Sequence, residues 1–311
     1  MLLVTAIVAI LATMLLPVFQ RVRQKAKYIR WVGYKNNLRC DPSLVLYYTF
    51  EEPEDAAGNP NLMVKNMATA GVFSKSTMNG NYSDPEALDG ALGGDISAPI
   101  WPPVWPQEDD KHTPQYKPTE GRWPEKSALY FDGDDYVFCR DDDCLDFTEA
   151  ITIEVWFKET DYNFWRNYAA RLVSKQWGGI TSPFSCYQLG INFPWKEYFR
   201  FAVGGEFGLF DGWTKTPPQE LDNWYHFVGT YDRKYTRMYV NGEKIWESTS
   251  HTDPIRTSDE PVVIGLGYYS GYGIGLFRFK GFIDEVAIYK RALTAIEIKG
   301  HYEMGKPLKG R

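Results

Sequence analysis

Histidine and cysteine are scarce in this sequence, with four of each among 311 residues. The cysteines form no CxxC pair, and no cysteine–histidine cluster has the spacing of a zinc site. No GxSxG, HExxH or P-loop motif occurs. The net charge of −6 gives the chain no overall attraction to nucleic acid. These absences argue against an enzyme and against a nucleic-acid partner.

Charge is also absent from the first sixteen residues, Met1 to Leu16. As a helix, residues 1–19 would be about 28 Å long, roughly the thickness of a hydrocarbon core. The charge order is the reverse of a secretory signal, because no basic residue precedes the apolar run and no small-residue cleavage site follows it. A cleaved signal is therefore disfavoured, and a membrane anchor stays open. The basic residues follow the run, at Arg21, Arg23, Lys25 and Lys27.

The stretch LLVTAIVAILATMLLPVFQRVRQKAK resembles the N-terminal helix of type IV pilins and type II secretion pseudopilins. The Leu16–Pro17 pair and the basic extension after it carry this resemblance. It places the family's glutamate upstream of Met1, so we expect Met1 to lie within a longer reading frame. The resemblance implies that the helix leaves the inner membrane and polymerises with copies of itself. The expected assembly residues are Leu2, Leu3, Ile7, Ile10, Leu11, Leu15, Leu16 and Pro17.

The residue types themselves support a helix that becomes buried in a membrane or in an assembly. The first segment is apolar all round, and such a helix must be covered by lipid or by other helices. Pro17 removes one backbone hydrogen bond and predicts a kink. Beyond it, helical spacing predicts one apolar face that packs on a globular head, with the helix ending between residues 33 and 37. That face consists of Val22, Ala26, Ile29 and Val32.

From residue 43 onward the pattern changes to roughly twelve short strands with little helix between them. ITIEVWFK alternates, with Ile151, Ile153, Val155 and Phe157 on one face. Asn241-Gly242 between two apolar runs predicts a tight hairpin. Thr294 and Glu297 have capping-box spacing, which predicts a short closing helix. The pattern is typical of an antiparallel two-sheet sandwich or jelly roll.

The motifs ALYFDGDDYVFC, ITIEVWFK, NWYHFVGTYD, RMYVNGEKI, VVIGLG and FKGFIDEVAIYKRALT, in this order, resemble the laminin-G-like and concanavalin A-like sandwich family. The expected fold is mainly β, with a long N-terminal α-helix followed by this jelly roll. We expect the helix over 1–38, the sandwich over 43–303 with a long insertion at about 53–125, and a tail over 304–311. Function does not follow, because this fold serves lectins, adhesion modules, enzymes and spacers alike.

The second resemblance implies one calcium ion where the first strand, the FDG turn and the last strand meet. The matching positions are Glu51, Asp132, Gly133 and Asp284. Calcium binds several carboxylate and carbonyl oxygens. The alternative is that these acidic residues cap backbone amides or form surface pairs. A second candidate is the acidic loop of Asp141, Asp142 and Asp143, which could equally be a solvated loop.

Aromatic and acidic residues suggest two further kinds of site. Sugars stack on flat aromatic faces, so loop tryptophans are candidates for glycan binding, although they could instead pack the insertion against the sandwich. They are Trp101, Trp105, Trp123, Trp177 and Trp213. Related glycosidases carry E-x-D-x-x-E on one strand. That motif is missing, and Glu154 and Glu159 lie five apart, on opposite faces of an unbroken strand.

In an exported protein, Cys139 and Cys144 are expected to form a disulfide within CRDDDC, leaving Cys40 and Cys186 as a second pair. Buried free thiols are the alternative.

Together these patterns predict a pilin-like structural subunit of an extracellular bacterial filament, with an inner-membrane precursor. Its expected partners are copies of itself, the inner membrane before assembly, and glycans or cell surfaces bound by a lectin-like sandwich. A pseudopilin of a type II secretion system and a membrane-anchored carbohydrate-binding protein remain alternatives.

Overall fold

The computed structural model describes residues 2–51, 63–68, 88–93, 113–161, 169–176, 185–192, 198–206, 208–214, 220–269 and 273–307. Two helices, α1 (Leu2–Leu38) and α2 (Ala295–Gly305), flank the β-structure in the chain. α1 continues through Pro17, so the structure shows one unbroken element of 37 residues. The predicted helix end between residues 33 and 37 is correct to within one residue.

The described residues between the helices form eighteen β-strands, more than the twelve expected, because edge segments and a small hairpin add short ones. They are β1 (Leu44–Tyr48), β2 (Met63–Val64), β3 (Gly90–Gly93), β4 (Gln115–Lys117), β5 (Ala128–Asp132), β6 (Tyr136–Cys139), β7 (Ile151–Glu159), β8 (Ala169–Gln176), β9 (Ser185–Asn192), β10 (Tyr198–Gly205), β11 (Gly208–Thr214), β12 (Trp224–Tyr231), β13 (Thr236–Val240), β14 (Glu243–Ser248), β15 (Val262–Ile264), β16 (Leu266–Tyr269), β17 (Gly273–Arg278) and β18 (Lys280–Tyr289).

Two eight-stranded antiparallel sheets make the sandwich. Sheet 1 has the order β14-β13-β12-β7-β18-β5-β4, and β1 also pairs with β18. Sheet 2 has the order β11-β10-β9-β8-β15-β6-β3-β2. β16 and β17 form a separate hairpin. The described parts of the expected insertion are not a separate body, because β2, β3 and β4 extend the edges of the two sheets.

β1 and β5 share one edge of β18, end to end. Residues 286–289 of β18 pair with β1, and residues 280–283 pair with β5. Asp284 and Glu285 fall in the gap between the two partners, where the register of β18 against β7 also shifts. The edge therefore has an interruption at its middle, and both carboxylates lie there.

The core follows from alternation along the strands. The inward residues predicted on β7, from Ile151 to Phe157, are fully buried in the main apolar cluster. At the predicted hairpin, Asn241 and Gly242 both have positive φ, at 53° and 79°, as the tight turn between β13 and β14 requires. The capping box of Thr294 and Glu297 at the start of α2 is confirmed.

Candidate functional site: the helix and its junction with the sandwich

Between Leu11 and Ile29, α1 has a series of exposed apolar side chains. Apolar surface of this extent on one element is unusual in a monomer and marks a contact region. Among the described side chains, which begin in this helix at Leu11, no helical segment is both long and apolar enough to cross a membrane. The exposed fractions range from 48 to 69% at Leu11, Met14, Leu15, Leu16, Val18, Phe19, Val22 and Ile29.

The structure therefore places Leu11, Leu15 and Leu16 of the predicted assembly set on an open surface. Pro17 is also exposed, inside the helix. The remaining members lie in α1 by their backbone, but their side chains are outside the described residues. These are Leu2, Leu3, Ile7 and Ile10.

The second half of α1 is attached to the sandwich by one face. Trp31 and Lys35 on this face are buried. The predicted face was wrong, since Val22, Ala26 and Ile29 point to solvent and Val32 is only half-buried. The physical reason is that α1 docks through aromatic rings and long cationic side chains, whose apolar stems cover the sheet while their charged ends find partners.

Three contacts fix the start of this docked face. The ring of Tyr28 lies 6.4 Å from that of Trp123, and the ammonium of Lys27 lies 5.5 Å from the same ring. Lys27 also donates to the carbonyl of Lys306, just beyond α2, at 3.3 Å. Docking of α1 on the sandwich therefore begins at Lys27.

Further contacts of α1 involve Glu51, a predicted calcium ligand. The Lys35 ammonium forms a short ion pair with the Glu51 carboxylate, and the Tyr28 hydroxyl lies 3.5 Å from the other oxygen of that carboxylate. Burial, together with the charge of Glu51, raises the pKa of Tyr28 to about 12. Glu51 thus serves as the anchor of α1 on the end of the first strand.

Arg122 is the centre of a buried ionic cluster beneath α1. Its Nε donates to Asp284 Oδ1 at 3.0 Å, and its backbone N–H donates to Asp284 Oδ2 at 2.8 Å. One Nη donates to Glu285, and the other donates to the carbonyl of Gly305 at 2.8 Å, at the end of α2. One fully buried guanidinium therefore ties β18 to α2 and to the loop before β5.

The same guanidinium is held between two indole rings. Its carbon lies 4.8 Å from the ring centre of Trp31 on α1 and 4.2 Å from that of Trp156 on β7. Such stacking is stabilising, and more so when the cation is out of water. Arg122 thus joins α1 to sheet 1 as well, although it belongs to neither.

Lys126 fills the interruption between β1 and β5. Its ammonium donates to the carbonyls of Thr49 and Asp284 at 2.8 and 3.2 Å, and pairs with Asp284 Oδ1 at 2.8 Å. Burial alone would raise the pKa of Asp284, but Arg122 and Lys126 hold it below its ordinary value. The tight loop also needs Gly121, because a Cβ there would lie 2.9 Å from Asp284 Oδ2.

The predicted calcium set is therefore not assembled. Glu51 holds Lys35, and Asp284 holds Arg122 and Lys126, so protein cations occupy the place expected for the metal. Asp132 pairs with Lys280 in the register, four residues or about 13 Å along β18 from Asp284. The acidic loop is engaged too, since Asp141 pairs with Lys175, and Asp142 accepts a bond from the backbone of Cys144.

A smaller group of acids remains at the FDG turn itself. Asp132, Asp134 and Asp135 bring one carboxylate oxygen each within 4.8 Å of one another. Asp135 is buried, its Oδ2 accepts from the backbone of Asp132 at 2.7 Å, and its Oδ1 has no partner. Burial raises the pKa of Asp135 to about 8. These oxygens suit a hard divalent cation, so calcium stays a prediction, now confined to this turn.

A second buried polar cluster lies where α2 meets sheet 1. The two oxygens of Glu154 contact His226 Nε2 at 2.7 Å and His301 Nδ1 at 2.8 Å. Burial opposes ionisation, yet the two histidines hold the pKa of Glu154 well below its ordinary value. Burial lowers the pKa of His226, whereas the charge of Glu154 overcomes burial and raises that of His301. The sequence had offered Glu154 only as an unlikely catalytic acid, and here it anchors α2.

This cluster predicts a pH dependence of stability. The raised pKa of His301 gives stability that is full below about pH 6.5 and is lost as pH rises through the folded-state value. His301→Gln should therefore lower the free energy of unfolding by about 1–3 kcal/mol near pH 6 and by less near pH 9. Thermal melts across that range measure the difference.

The control is His251→Gln, because burial lowers the pKa of His251 to about 4 and keeps that ring neutral throughout the range. In the unfolded chain this ring takes up a proton below about pH 6.5, so the loss caused by His251→Gln should be smaller near pH 6 than near pH 9, the opposite trend to that of His301→Gln. A loss for His301→Gln that does not change with pH would contradict a charged His301–Glu154 pair.

All four cysteines are free, so neither predicted disulfide is formed. Cys139 ends β6 with its side chain in the core, where it donates to the carbonyl of Leu88 at 3.6 Å. Cys144 instead lies in a 3-10 turn, Asp143–Leu145. Burial raises the pKa of Cys139 to about 12 and that of Cys186 to about 11, which makes both thiols unreactive.

The tryptophans predicted to bind glycans divide into two groups. Trp123 is fully buried under α1, so this prediction was wrong, and the alternative of packing the insertion is what the structure shows. Trp101, Trp105 and Trp177 lie outside the described residues. Trp213 lies in β11, but its side chain is likewise outside the described part.

Comparison with known proteins agrees with this architecture. Domain 4 of AbnA, a GH43 extracellular arabinanase from Geobacillus stearothermophilus solved with arabinotriose, is 16% identical with a TM-score of 0.52 over 84% of this chain and 98% of that one. The binding domain of Paraclostridial Mosquitocidal Protein 1 is 15% identical with a TM-score of 0.54, over 84% of this chain and 52% of that one.

The binding domain of botulinum neurotoxin DC, solved with rat synaptotagmin II, is 12% identical with a TM-score of 0.51, over 86% of this chain and 56% of that one. The chain thus spans about half the length of these two toxin domains. At such identities the likeness concerns the fold alone. No curated protein sequence matches the chain.

Residues 131–299, more than half of the chain, match the sequence profile of the concanavalin A-like lectin/glucanases superfamily. The matched segment runs from the end of β5 into α2 and includes the sandwich core of both sheets. The chain therefore belongs to the concanavalin A-like lectin/glucanases superfamily.

Proposed function

We propose that this protein is the pilin-like structural subunit of an extracellular bacterial filament, which polymerises through α1 and displays the sandwich on its outside. The observation that carries the proposal is the division of α1 at Lys27. From Leu11 to Val22 the helix exposes large apolar side chains, and from Lys27 onward one face of it is locked to the sandwich. One helix thus provides both an assembly surface and a rigid mount.

In water, the hydrophobic effect favours assembly over a free monomer. Apolar surface removed from water contributes roughly 25 cal/mol per Å², and the part of α1 before Lys27 offers seven large exposed apolar side chains. Transfer of α1 from lipid into a bundle of helices changes the hydrophobic free energy little, because both surroundings are apolar. Close packing between the helices must therefore decide whether α1 leaves the lipid. A precursor held in the inner membrane would therefore be stable until it is extracted, and would then have to associate.

The docked half fixes the orientation of the displayed domain. Ion pairs, stacked rings and hydrogen bonds from Lys27 to Lys35 leave no hinge between helix and head. Copies of α1 that pack in one repeating geometry would therefore carry their sandwiches in one repeating geometry. Sheet 1 is covered by the helices on its outer side, which leaves sheet 2 as the face turned away from the mount.

We infer a carbohydrate ligand for that face, as befits a lectin-like domain. The superfamily is named for lectins, and domain 4 of AbnA, which has a similar fold, was solved with arabinotriose. On the outer side of β8 and β9, Ser174 and Gln188 are only 1% exposed, and the Ser174 hydroxyl donates to the carbonyl of Leu266 at 3.2 Å. A sugar would therefore have to bind beside the β16–β17 hairpin.

Removal of residues 1–22 tests the proposal. This truncation keeps every docking contact from Lys27 onward, so we expect a soluble monomer whose melting temperature, measured in detergent for both proteins, equals that of the full chain. Negative-stain microscopy and sedimentation of the two proteins give the assembly state. Filaments of the truncated head would refute the proposal.

The same experiment separates the alternatives. Long free fibres on cells support a filament subunit, whereas short, transient assemblies seen only with an active secretion system would indicate a pseudopilin. A full chain that stays monomeric in detergent would indicate an anchored surface lectin. The truncated head on a glycan array tests the carbohydrate ligand, and the absence of any bound glycan would contradict it.

A further inference from the structure

Beyond Pro17, α1 has an apolar face that the sandwich does not cover. Val22, Ala26 and Ile29 continue the exposed stripe of Leu15 and Val18 at spacings of three and four residues. The stripe ends at residue 33, a glycine whose Cβ position meets no atom within 4 Å. It lies opposite Trp31, on the side of the helix that faces away from the head.

Basic side chains flank this stripe on both sides. At 100° per residue, Arg21 and Lys25 fall on one flank, and Arg23 and Arg30 fall on the other. All four are exposed, and none has a carboxylate partner in the part of the chain that the structure describes. We call this surface, from Arg21 to Arg30, the outer face of α1.

Positive and negative charges are distributed unevenly between α1 and the rest of the chain. Residues 1–38 contain six basic residues and no acidic one, whereas the whole chain has 34 basic and 40 acidic residues. The remaining 273 residues therefore have 28 basic and 40 acidic side chains, a net charge of −12. Two copies of the outer face would oppose cation to cation, which is unfavourable. The partner of this face must be acidic.

The sandwich carries an acidic rim at the start of β7 and before β15. The Lys175 ammonium pairs with Asp141 and Asp146 and lies buried beneath the rim. Burial, joined by the charges of Asp146 and Asp259 and opposed by Lys175, raises the pKa of Asp141. The rim is therefore short of positive charge. Its members are Asp141, Asp142, Asp143, Asp146, Asp259 and Glu260.

We propose that the outer face of α1 docks on the acidic rim of a second copy's sandwich. The inference rests on the proposed function and adds a second contact to it: the apolar residues before Pro17 pack helix against helix, and the basic segment after it binds a neighbouring head. Charge complementarity favours this partner over an anionic membrane. A bilayer lying along the outer face would also approach a head of charge −12, which anionic lipid repels.

A charge swap in the full-length protein tests the contact. Arg23→Glu/Lys25→Glu on the helix and Asp143→Arg/Asp259→Arg on the rim should each raise the concentration needed for filament formation about tenfold at low salt. The four changes together should restore assembly to within about threefold of the native protein, because the opposed charges match again. High salt should shrink the effect of each pair of changes.

The control is Lys234→Glu/Lys290→Glu, which makes the same change in net charge at two exposed residues away from both surfaces and should assemble normally. If the helix variant assembles as the native protein does, the docking proposal fails while the filament proposal stands. If the native protein does not assemble at all, the filament proposal fails. If only the helix variant is impaired and it also loses binding to phosphatidylglycerol vesicles, a membrane is the partner and the docking proposal is overturned.

Discussion

Arg122→Ala is expected to lower the free energy of unfolding by about 3–5 kcal/mol. The change leaves the buried carboxylates of Asp284 and Glu285 without the guanidinium that pairs with both, and a buried carboxylate without its partner is costly. It also removes the cation between Trp31 and Trp156, so α1 loses its central contact with sheet 1. Chemical denaturation of the head lacking residues 1–22 measures the loss.

The matched control is Arg233→Ala, which breaks the exposed pair with Glu149, an arginine–carboxylate contact of the same chemistry at 3.0 Å. Exposed pairs contribute little, so the loss there should be below about 1 kcal/mol. Similar losses for the two variants would show that the buried cluster does not hold helix and sandwich together.

Leu11→Arg is expected to abolish filament formation while leaving the melting temperature of the head unchanged. Leu11 is 52% exposed and lies well before the docked segment, so a cation there meets water in the monomer. In a bundle of helices the same cation would be buried among apolar neighbours without a partner, at a cost of several kcal/mol. Sedimentation and negative-stain images give assembly, and thermal melts give the integrity of the head.

Gln20→Arg provides the comparison, because it adds the same charge to the same half of the helix on the side opposite the apolar stripe. It should assemble. Normal filaments from Leu11→Arg, or equal loss from both variants, would contradict an apolar seam as the assembly element.

Local patterns predicted the sandwich well. The alternation of Ile151 to Phe157, the Asn241–Gly242 hairpin and the Thr294 cap depend on neighbours in the chain, and the structure confirms all three. The order of strands in each sheet could not be derived in this way, because pairing between strands that are distant in the chain produces no periodic pattern in the sequence.

The junction was missed for a related reason. Arg122 and Lys126 belong to a proline- and tryptophan-rich segment without periodicity, where charged residues are expected at the surface. Only the fold brings them to Asp284. Trp123 was singled out by its ring, but its role is to pack under the helix. The docked face of α1 escaped notice because hydrophobic spacing selects Val22 and Ile29, and the sheet is instead covered by Trp31 and the stem of Lys35.

The rigid attachment of α1 makes the helix a lever. From Leu11 to Lys27 it extends about 24 Å, so a tilt of about 10° at the docked end moves the tip by about 4 Å. A shaft built from such levers could not stretch or twist without turning every sandwich on its surface by the same angle. Mechanical tension along the shaft would then reach each displayed domain as a change in its orientation.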